Sequence, residues 1–110
     1  MDTKSPSPEL NRLTASVLKA LAHPIRLQIV EVLREGERCV CEIVDSIEGQ
    51  RSNISRHIGI LMRAGLIEGR REGLRIFYRL KMPCVLSFFD CTHKVLIQQL
   101  RERARMLEEL

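Results

Sequence analysis

The sequence predicts a mainly α-helical domain with one small β-hairpin, an α+β fold, in a chain of 110 residues. Apolar residues recur with helical spacing through the first half of the chain, alternate with polar residues between 67 and 80, and return to helical spacing after 83. This length suits one domain with a modest core, and the scarcity of aromatic residues leaves Leu, Ile and Val to build it.

Two helices are predicted after a short tail. Residues 1–8 are polar and rich in proline, so we expect a flexible tail before a domain that spans 9–110. Pro24 suits the first turn of the second helix, which is rich in apolar residues and ends at Gly36. One apolar stripe marks the first helix: Leu10, Leu13, Val17 and Leu21.

A third and a fourth helix follow closely. Residues 41–47 predict a short third helix that ends near Gly49. Ser52 is a plausible N-cap for the fourth helix, and Gly65 closes it. The apolar face of the fourth helix is expected to lie in the core: Ile54, Ile58 and Leu61.

After the fourth helix the spacing of apolar residues changes from the 3.6-residue period of a helix to the two-residue period of a strand. Residues 67–71 and 74–80 predict two short strands around a turn at Glu72 and Gly73, which makes a hairpin. Pro83 starts a last long helix with a single apolar stripe: Phe89, Leu96, Leu100 and Leu107.

The positive charge is concentrated in one stretch of the chain. Residues 51–81 hold eight basic side chains and two acidic ones, whereas the formal charge of the whole chain is +4. Such clustering indicates a polyanionic partner, although a solvated basic face would have the same composition.

Composition also indicates the compartment. No apolar run approaches the roughly 20 residues that cross a bilayer, and the N-terminus lacks the apolar core of a signal peptide. We therefore expect a cytoplasmic protein without a membrane partner. In that reducing compartment the four cysteines are thiols or metal ligands rather than a disulfide framework: Cys39, Cys41, Cys84 and Cys91.

Several motifs resemble those of the ArsR/SmtB family of bacterial repressors. Residues 20–27 are similar to its opening signature, and 37–43 to its metal-binding box, with Arg38 where the box usually has Leu. Residues 55–67 resemble its recognition helix and the start of its wing, and 70–80 the rest of the wing. The resemblance covers nearly the whole chain.

This resemblance implies a homodimeric winged helix-turn-helix that binds double-stranded operator DNA. The helix-turn-helix would span 38–65, the wing 66–81, and a C-terminal dimerisation helix 83–108. The terminal helices would form the dimer interface.

The fourth helix carries the side chains expected to read DNA. A recognition helix presents its N-terminal residues to base edges in the major groove, where Gln and Asn suit adenine and Arg suits guanine. His57 contacts a phosphate or packs at the junction of helix and sheet. The expected set on this helix is Gln50, Arg51, Ser52, Asn53, Ser55, Arg56 and His57. Three wing arginines would contact the backbone or the minor groove and set affinity rather than sequence preference: Arg70, Arg71 and Arg75.

Cys39 and Cys41 are the predicted metal ligands. They precede or begin the third helix, where free amide groups and the helix dipole favour the thiolate that binds soft ions. The alternative is two small apolar residues in a core. Residues two apart in a regular helix point about 200° apart, so joint binding of one ion requires non-helical backbone here. We therefore hypothesise that ligand binding unwinds or reorients the start of the third helix and disfavours DNA binding.

The third ligand is left open by the sequence. Val44 stands where arsenical-responsive relatives often have a third Cys. Cys84 or Cys91, from the same or the partner chain, would complete a three-sulfur site, or the two could form a separate site or pack. Asp90 and His93 suggest the zinc site of some relatives only weakly, because their spacing departs from that pattern.

Three functions are compatible with these observations, none of them enzymatic. The first is a repressor released by As(III) or Sb(III), or by another thiophilic ion such as Cd(II), Pb(II) or Zn(II). The second keeps DNA binding but responds to thiol oxidation or persulfidation through Cys84 or Cys91. The third is a winged-helix interaction module that does not bind DNA. The sequence contains no phosphate-binding loop and no recognisable set of nucleophile, base and acid.

Overall fold

The first helix begins earlier than predicted. The computed structural model describes residues 7–110, so residues 1–6 of the predicted tail lie outside the described part. Ser7 is the N-cap of this helix, and its Oγ accepts a hydrogen bond of 3.1 Å from the amide of Leu10. The helix starts at Pro8, whose fixed φ suits that position, so the predicted tail is too long by these two residues.

Five α-helices and three β-strands make up the described part of the chain. A short 3₁₀ turn at Leu33–Glu35 extends the second helix, and Gly36 ends it with φ 130°. In chain order the elements are α1 (Pro8–Leu21), α2 (Pro24–Val32), β1 (Arg38–Cys39), α3 (Val40–Ser46), α4 (Arg51–Arg63), β2 (Ile67–Glu72), β3 (Arg75–Leu80) and α5 (Val85–Glu108).

The sheet has one strand more than the predicted hairpin. β2 and β3 pair antiparallel around a turn in which Gly73 has φ 63°. β1 pairs antiparallel with the other edge of β3, which gives the strand order β1-β3-β2. The segment that carries Cys39 is therefore hydrogen-bonded directly to the wing.

One apolar cluster joins the helices to the sheet. The apolar face of α4 is buried as predicted, and α2 contributes Ile29 and Val30 to the core, whereas its Leu27 is exposed. The largest fully buried side chains are Ile29, Val30, Leu33, Ile43, Ile54, Leu61, Leu66 and Ile67. This cluster packs α4 against the base of the wing.

The two terminal helices keep apolar side chains exposed. Only the C-terminal end of the α1 stripe is buried, and on α5 Phe89 is the buried member. Among residues 7–110, no helix is long and apolar enough to span a membrane. The exposed apolar residues of these helices are Leu10, Leu13, Leu18, Phe88, Val95, Leu96, Ile97, Leu100, Met106 and Leu107.

Candidate nucleic-acid interface and thiol site

The N-terminal turn of α4 is exposed and polar. Gln50 has extended backbone and is the N-cap residue, with no hydrogen bond from its side chain, while Ser52 lies inside the first turn. The prediction that Ser52 caps this helix is therefore wrong. The exposed predicted readers are Gln50, Arg51, Ser52, Ser55 and Arg56, with Asn53 half-buried.

Asn53 and Arg56 are held together on this surface. Nη2 of Arg56 donates a hydrogen bond of 2.9 Å to Oδ1 of Asn53. Both side chains line a shallow polar depression with Gln50 and Ser52. The guanidinium has five N–H donors, so this bond positions Arg56 and leaves donors for a DNA base or phosphate.

His57 is not part of the exposed surface. Its side chain is 4% exposed and its ring lies 4.4 Å from that of His23, centroid to centroid. Burial lowers the pKa of His57, and the neighbouring His23 and Arg26 lower it further. His57 therefore packs in the interior, at the contact between α4 and the start of α2 and not at the predicted junction of helix and sheet.

The wing arginines differ in their surroundings. Arg71 and Arg75 are exposed near the turn of the hairpin. Arg70 is held on both sides: its Nε and Nη2 donate to the carboxylate of Glu37 at 2.6 to 3.1 Å, and its Nη1 donates to Glu72 at 2.9 Å. Its guanidinium also lies 4.7 Å from the ring centroid of Phe77. Sequence analysis did not identify Glu37, because a contact between residues 33 positions apart leaves no local pattern.

Cys39 and Cys41 lie together at the start of α3. Their Sγ atoms are 2.7 Å apart. Cys39 is the N-cap of α3: its Sγ accepts a hydrogen bond of 3.4 Å from the amide of Glu42, and the Glu42 carboxylate accepts one of 3.1 Å from the Cys39 amide. Cys39 is buried and Cys41 is exposed, so the pair is open to solvent on one side.

The backbone required for joint ligation is already present. Cys39 has φ −75° and ψ 159°, which is extended, and α3 begins only at Val40. The two thiols therefore meet without any unwinding of α3, and the non-helical backbone predicted as a requirement for joint ligation is present at Cys39. The reorientation of this helix start by a ligand stays a prediction.

The acidity of Cys39 also differs from the prediction. Contact with the Cys41 thiol raises the pKa of Cys39, and burial raises it further, while the amide of Glu42 opposes both. The expected thiolate-favouring effect of the helix start is outweighed by this hydrogen-bonded contact and by burial, which disfavours the charged form.

The two other cysteines lie at the start of α5 and within it. Cys84 is the N-cap residue of α5 and lines an apolar groove between α1 and α5, and Cys91 is exposed about two turns further along. Among residues 7–110, the one group of three potential ligand side chains with donor atoms within 4.8 Å of one another is Glu31, Asp90 and His93. The described chain therefore does not bring Cys84 or Cys91 to the Cys39–Cys41 pair.

The Glu31, Asp90 and His93 group is involved in an ion-pair network. Arg34 donates to Asp90 at 2.7 and 3.1 Å and to Glu31 at 2.9 and 3.1 Å. These bonds join the turn after α2 to α5 and lower the pKa of Asp90. Glu31 and Asp90 therefore lie close together because both bind Arg34.

Together these elements define a winged helix-turn-helix: α3 and α4 form the helix-turn-helix, and the β2–β3 hairpin is the wing. The model of the ArsR family of bacterial regulatory proteins matches residues 23–68. The chain is 38% identical over 105 residues to an uncharacterised HTH-type transcriptional regulator, Rv0081 of Mycobacterium tuberculosis, covering 94% of this chain and 92% of that one. The chain belongs to the ArsR family, and it is a winged helix-turn-helix transcriptional regulator.

Solved structures agree with this assignment. The crystal structure of Rv0081 is 36% identical and covers 90% of this chain and 99% of that one, with a TM-score of 0.72. A possible ArsR-family regulator of Mycobacterium bovis, described as a homodimeric winged helix-turn-helix DNA-binding domain, is 32% identical, with a TM-score of 0.74 and coverage of 92% and 95%. The transcriptional repressor BigR of Xylella fastidiosa is 32% identical, with a TM-score of 0.71 and coverage of 79% and 89%.

Proposed function

We propose that this chain is a homodimeric cytoplasmic repressor that binds operator DNA through α4 and the wing, and that As(III) or Sb(III) releases it by binding Cys39 and Cys41. The observation that carries the proposal is the 2.7 Å separation of the two Sγ atoms at the start of α3. Soft thiolate ligands select thiophilic ions and metalloids. The exposed polar turn of α4 and the basic wing supply the surface for DNA.

The release of protons on binding distinguishes arsenite from a divalent metal ion. Two thiols condense with arsenous acid to form two As–S bonds and two water molecules, with no net release of protons. A divalent ion such as Cd(II) displaces two protons, one of them from Cys39, whose pKa is raised. The apparent affinity for Cd(II) should therefore rise steeply between pH 6 and 8, while that for arsenite changes little.

Titration of effectors into the reduced protein bound to its own promoter DNA tests the proposal. We expect arsenite to release the DNA, and Cys39→Ser and Cys41→Ser to bind DNA normally but to lose this response. Cys84→Ser and Cys91→Ser are matched controls, because both residues are exposed and lie on another helix. A third thiolate from the partner subunit would appear as a weaker response in one of these controls. If all four variants respond like the wild type, the cysteine-sensor proposal is wrong.

Oxidation of the same thiols is the second candidate function. Because Cys39 and Cys41 are in contact, a peroxide can convert them into a disulfide: the two thiols lose two protons and two electrons, and the peroxide is reduced to two water molecules. Release of DNA by peroxide and its reversal by a reducing agent, with no release by arsenite under reducing conditions, would support this candidate instead. The Cys84 or Cys91 route predicts that the corresponding serine variant abolishes the oxidative response.

The exposed terminal helices support the dimer. α1 and α5 leave a broad apolar surface in solvent, and surfaces of this kind mark protein contacts. A second copy of the chain would cover both helices, as the M. bovis relative is described as homodimeric. Two α4 helices related by a two-fold axis would then meet two half-sites of an operator.

A further inference from the structure

The Cys39–Cys41 pair has a direct structural connection to the wing. β1 pairs with β3 so that Cys39 lies opposite Phe77, and β3 pairs with β2 so that Phe77 lies opposite Arg70. These three residues form one row across the sheet. Any displacement of β1 therefore acts on the wing through backbone hydrogen bonds.

A second connection runs through side chains. Glu37, two residues before Cys39, binds Arg70 through both carboxylate oxygens, the shortest distance being 2.6 Å. Arg70 also lies over the ring of Phe77. A bidentate contact between carboxylate and guanidinium depends on orientation as well as distance, so it responds to small movements of β1.

We propose that Glu37 is the positioning residue that transmits the ligand state of the Cys39–Cys41 pair to the wing by orienting Arg70. This inference rests on the proposed function of the thiol pair. Ligation separates the two sulfurs, which are 2.7 Å apart in this structure, because two thiolates on one ion lie about 3.8 Å apart. The resulting shift of Cys39 moves β1, and Glu37 with it. Arg70 then changes its orientation, and the wing loses the position in which it contacts DNA.

The chain offers a matched control on the same arginine. Glu72 also accepts a hydrogen bond from Arg70, at 2.9 Å, but it belongs to β2 and therefore moves with the wing itself. Glu37→Gln and Glu72→Gln each remove one carboxylate from Arg70 without changing the size of the side chain. Only Glu37→Gln interrupts the connection to the thiol pair.

The experiment measures the Kd for promoter DNA with and without saturating arsenite. The quantity compared between variants is the Kd with arsenite divided by the Kd without it. Glu37→Gln should lower this ratio by about threefold to fivefold, the range of a well-oriented exposed ion pair. Glu72→Gln should leave it unchanged, and Glu37→Gln combined with Arg70→Gln should match Arg70→Gln alone. Arsenite binding to the free protein, followed by thiolate absorbance, should stay within about twofold of the wild type.

The possible outcomes separate the two proposals. If the wild type shows no release by arsenite, the proposed function fails and this inference fails with it. If the wild type responds and Glu37→Gln responds by the same factor, only the wing connection is overturned. An equal loss in Glu37→Gln and Glu72→Gln would also overturn it, because Arg70 would then act within the wing alone. Arg70→Gln breaks the same contact from the other side should Glu37→Gln fold poorly.

Discussion

Gly69 is a position where the wing has no room for an added methyl group. It lies opposite Tyr78 in the β2–β3 pairing, and a Cβ built on Gly69 would be 2.7 Å from Cε1 and 3.1 Å from Cδ1 of the Tyr78 ring. Tyr78 is buried, so its ring cannot move into solvent without losing its packing. We expect Gly69→Ala to lower the free energy of unfolding by about 1–3 kcal/mol, the usual cost of overpacking.

The effect should extend beyond the wing. Tyr78 also pairs with Arg38 in β1, so a displaced ring disturbs the strand that holds Cys39. Gly59→Ala is the matched control: its added methyl group meets only the flexible end of Arg63 at 3.4 Å, inside α4. That variant should be more stable by about 0.5–1 kcal/mol, since alanine favours helix. Urea denaturation measures the free energy of unfolding of both variants. A Gly69→Ala protein as stable as the wild type would refute the packing described for Tyr78.

Three further predictions concern DNA binding, pH and assembly. Arg56→Ala should weaken binding to promoter DNA by about 1–3 kcal/mol, measured by fluorescence anisotropy; a change below twofold would exclude Arg56 as a reader. Burial lowers the pKa of His57 below its unfolded value of about 6.5. The unfolded state therefore binds more protons, and the free energy of unfolding falls as pH falls from 7 to 5. In urea denaturation His57→Gln should reduce this change with pH, and an unchanged pH dependence in the variant would contradict the prediction. Leu100→Glu places a charge on the exposed apolar face of α5 and should convert dimer to monomer in sedimentation analysis, whereas Gln98→Glu should not.

The elements with a clear period were predictable from sequence, and β1 was not. The apolar stripe of α4 reports local burial, and the structure confirms it. In β3 the structure confirms buried Tyr78 next to exposed Arg79, whereas Leu74 lies in the turn and is exposed, and Phe77 is half-buried like Ile76. β1 has only two residues, which is too short to show any period. Its pairing with β3 depends on contacts almost forty residues away, and such contacts are set by the packed core.

Side-chain chemistry at the site was harder to predict for the same reason. Cys39 was placed correctly near a helix start, but the effect of that position on its pKa is reversed by Cys41 in contact with it. For His57 the sequence left open a phosphate contact or packing, and its position against His23 leads to packing. In both cases a neighbour fixed by the fold decides the outcome.

The strength of the Glu37–Arg70 ion pair limits how much of the proposed response to arsenite can pass through the wing. Allosteric coupling between two sites typically changes affinity by about 5-fold to 150-fold, whereas an exposed ion pair such as Glu37–Arg70 accounts for about fivefold at most. α3 packs on α2, β1 and β3, and its buried Ile43 shares the core with Ile54 of α4. A change at the start of α3 therefore has two routes to DNA, through this core to α4 and through β1 to the wing. If the coupling is near the upper end of that range, Glu37→Gln should weaken the response without abolishing it, and the remainder must pass through the core.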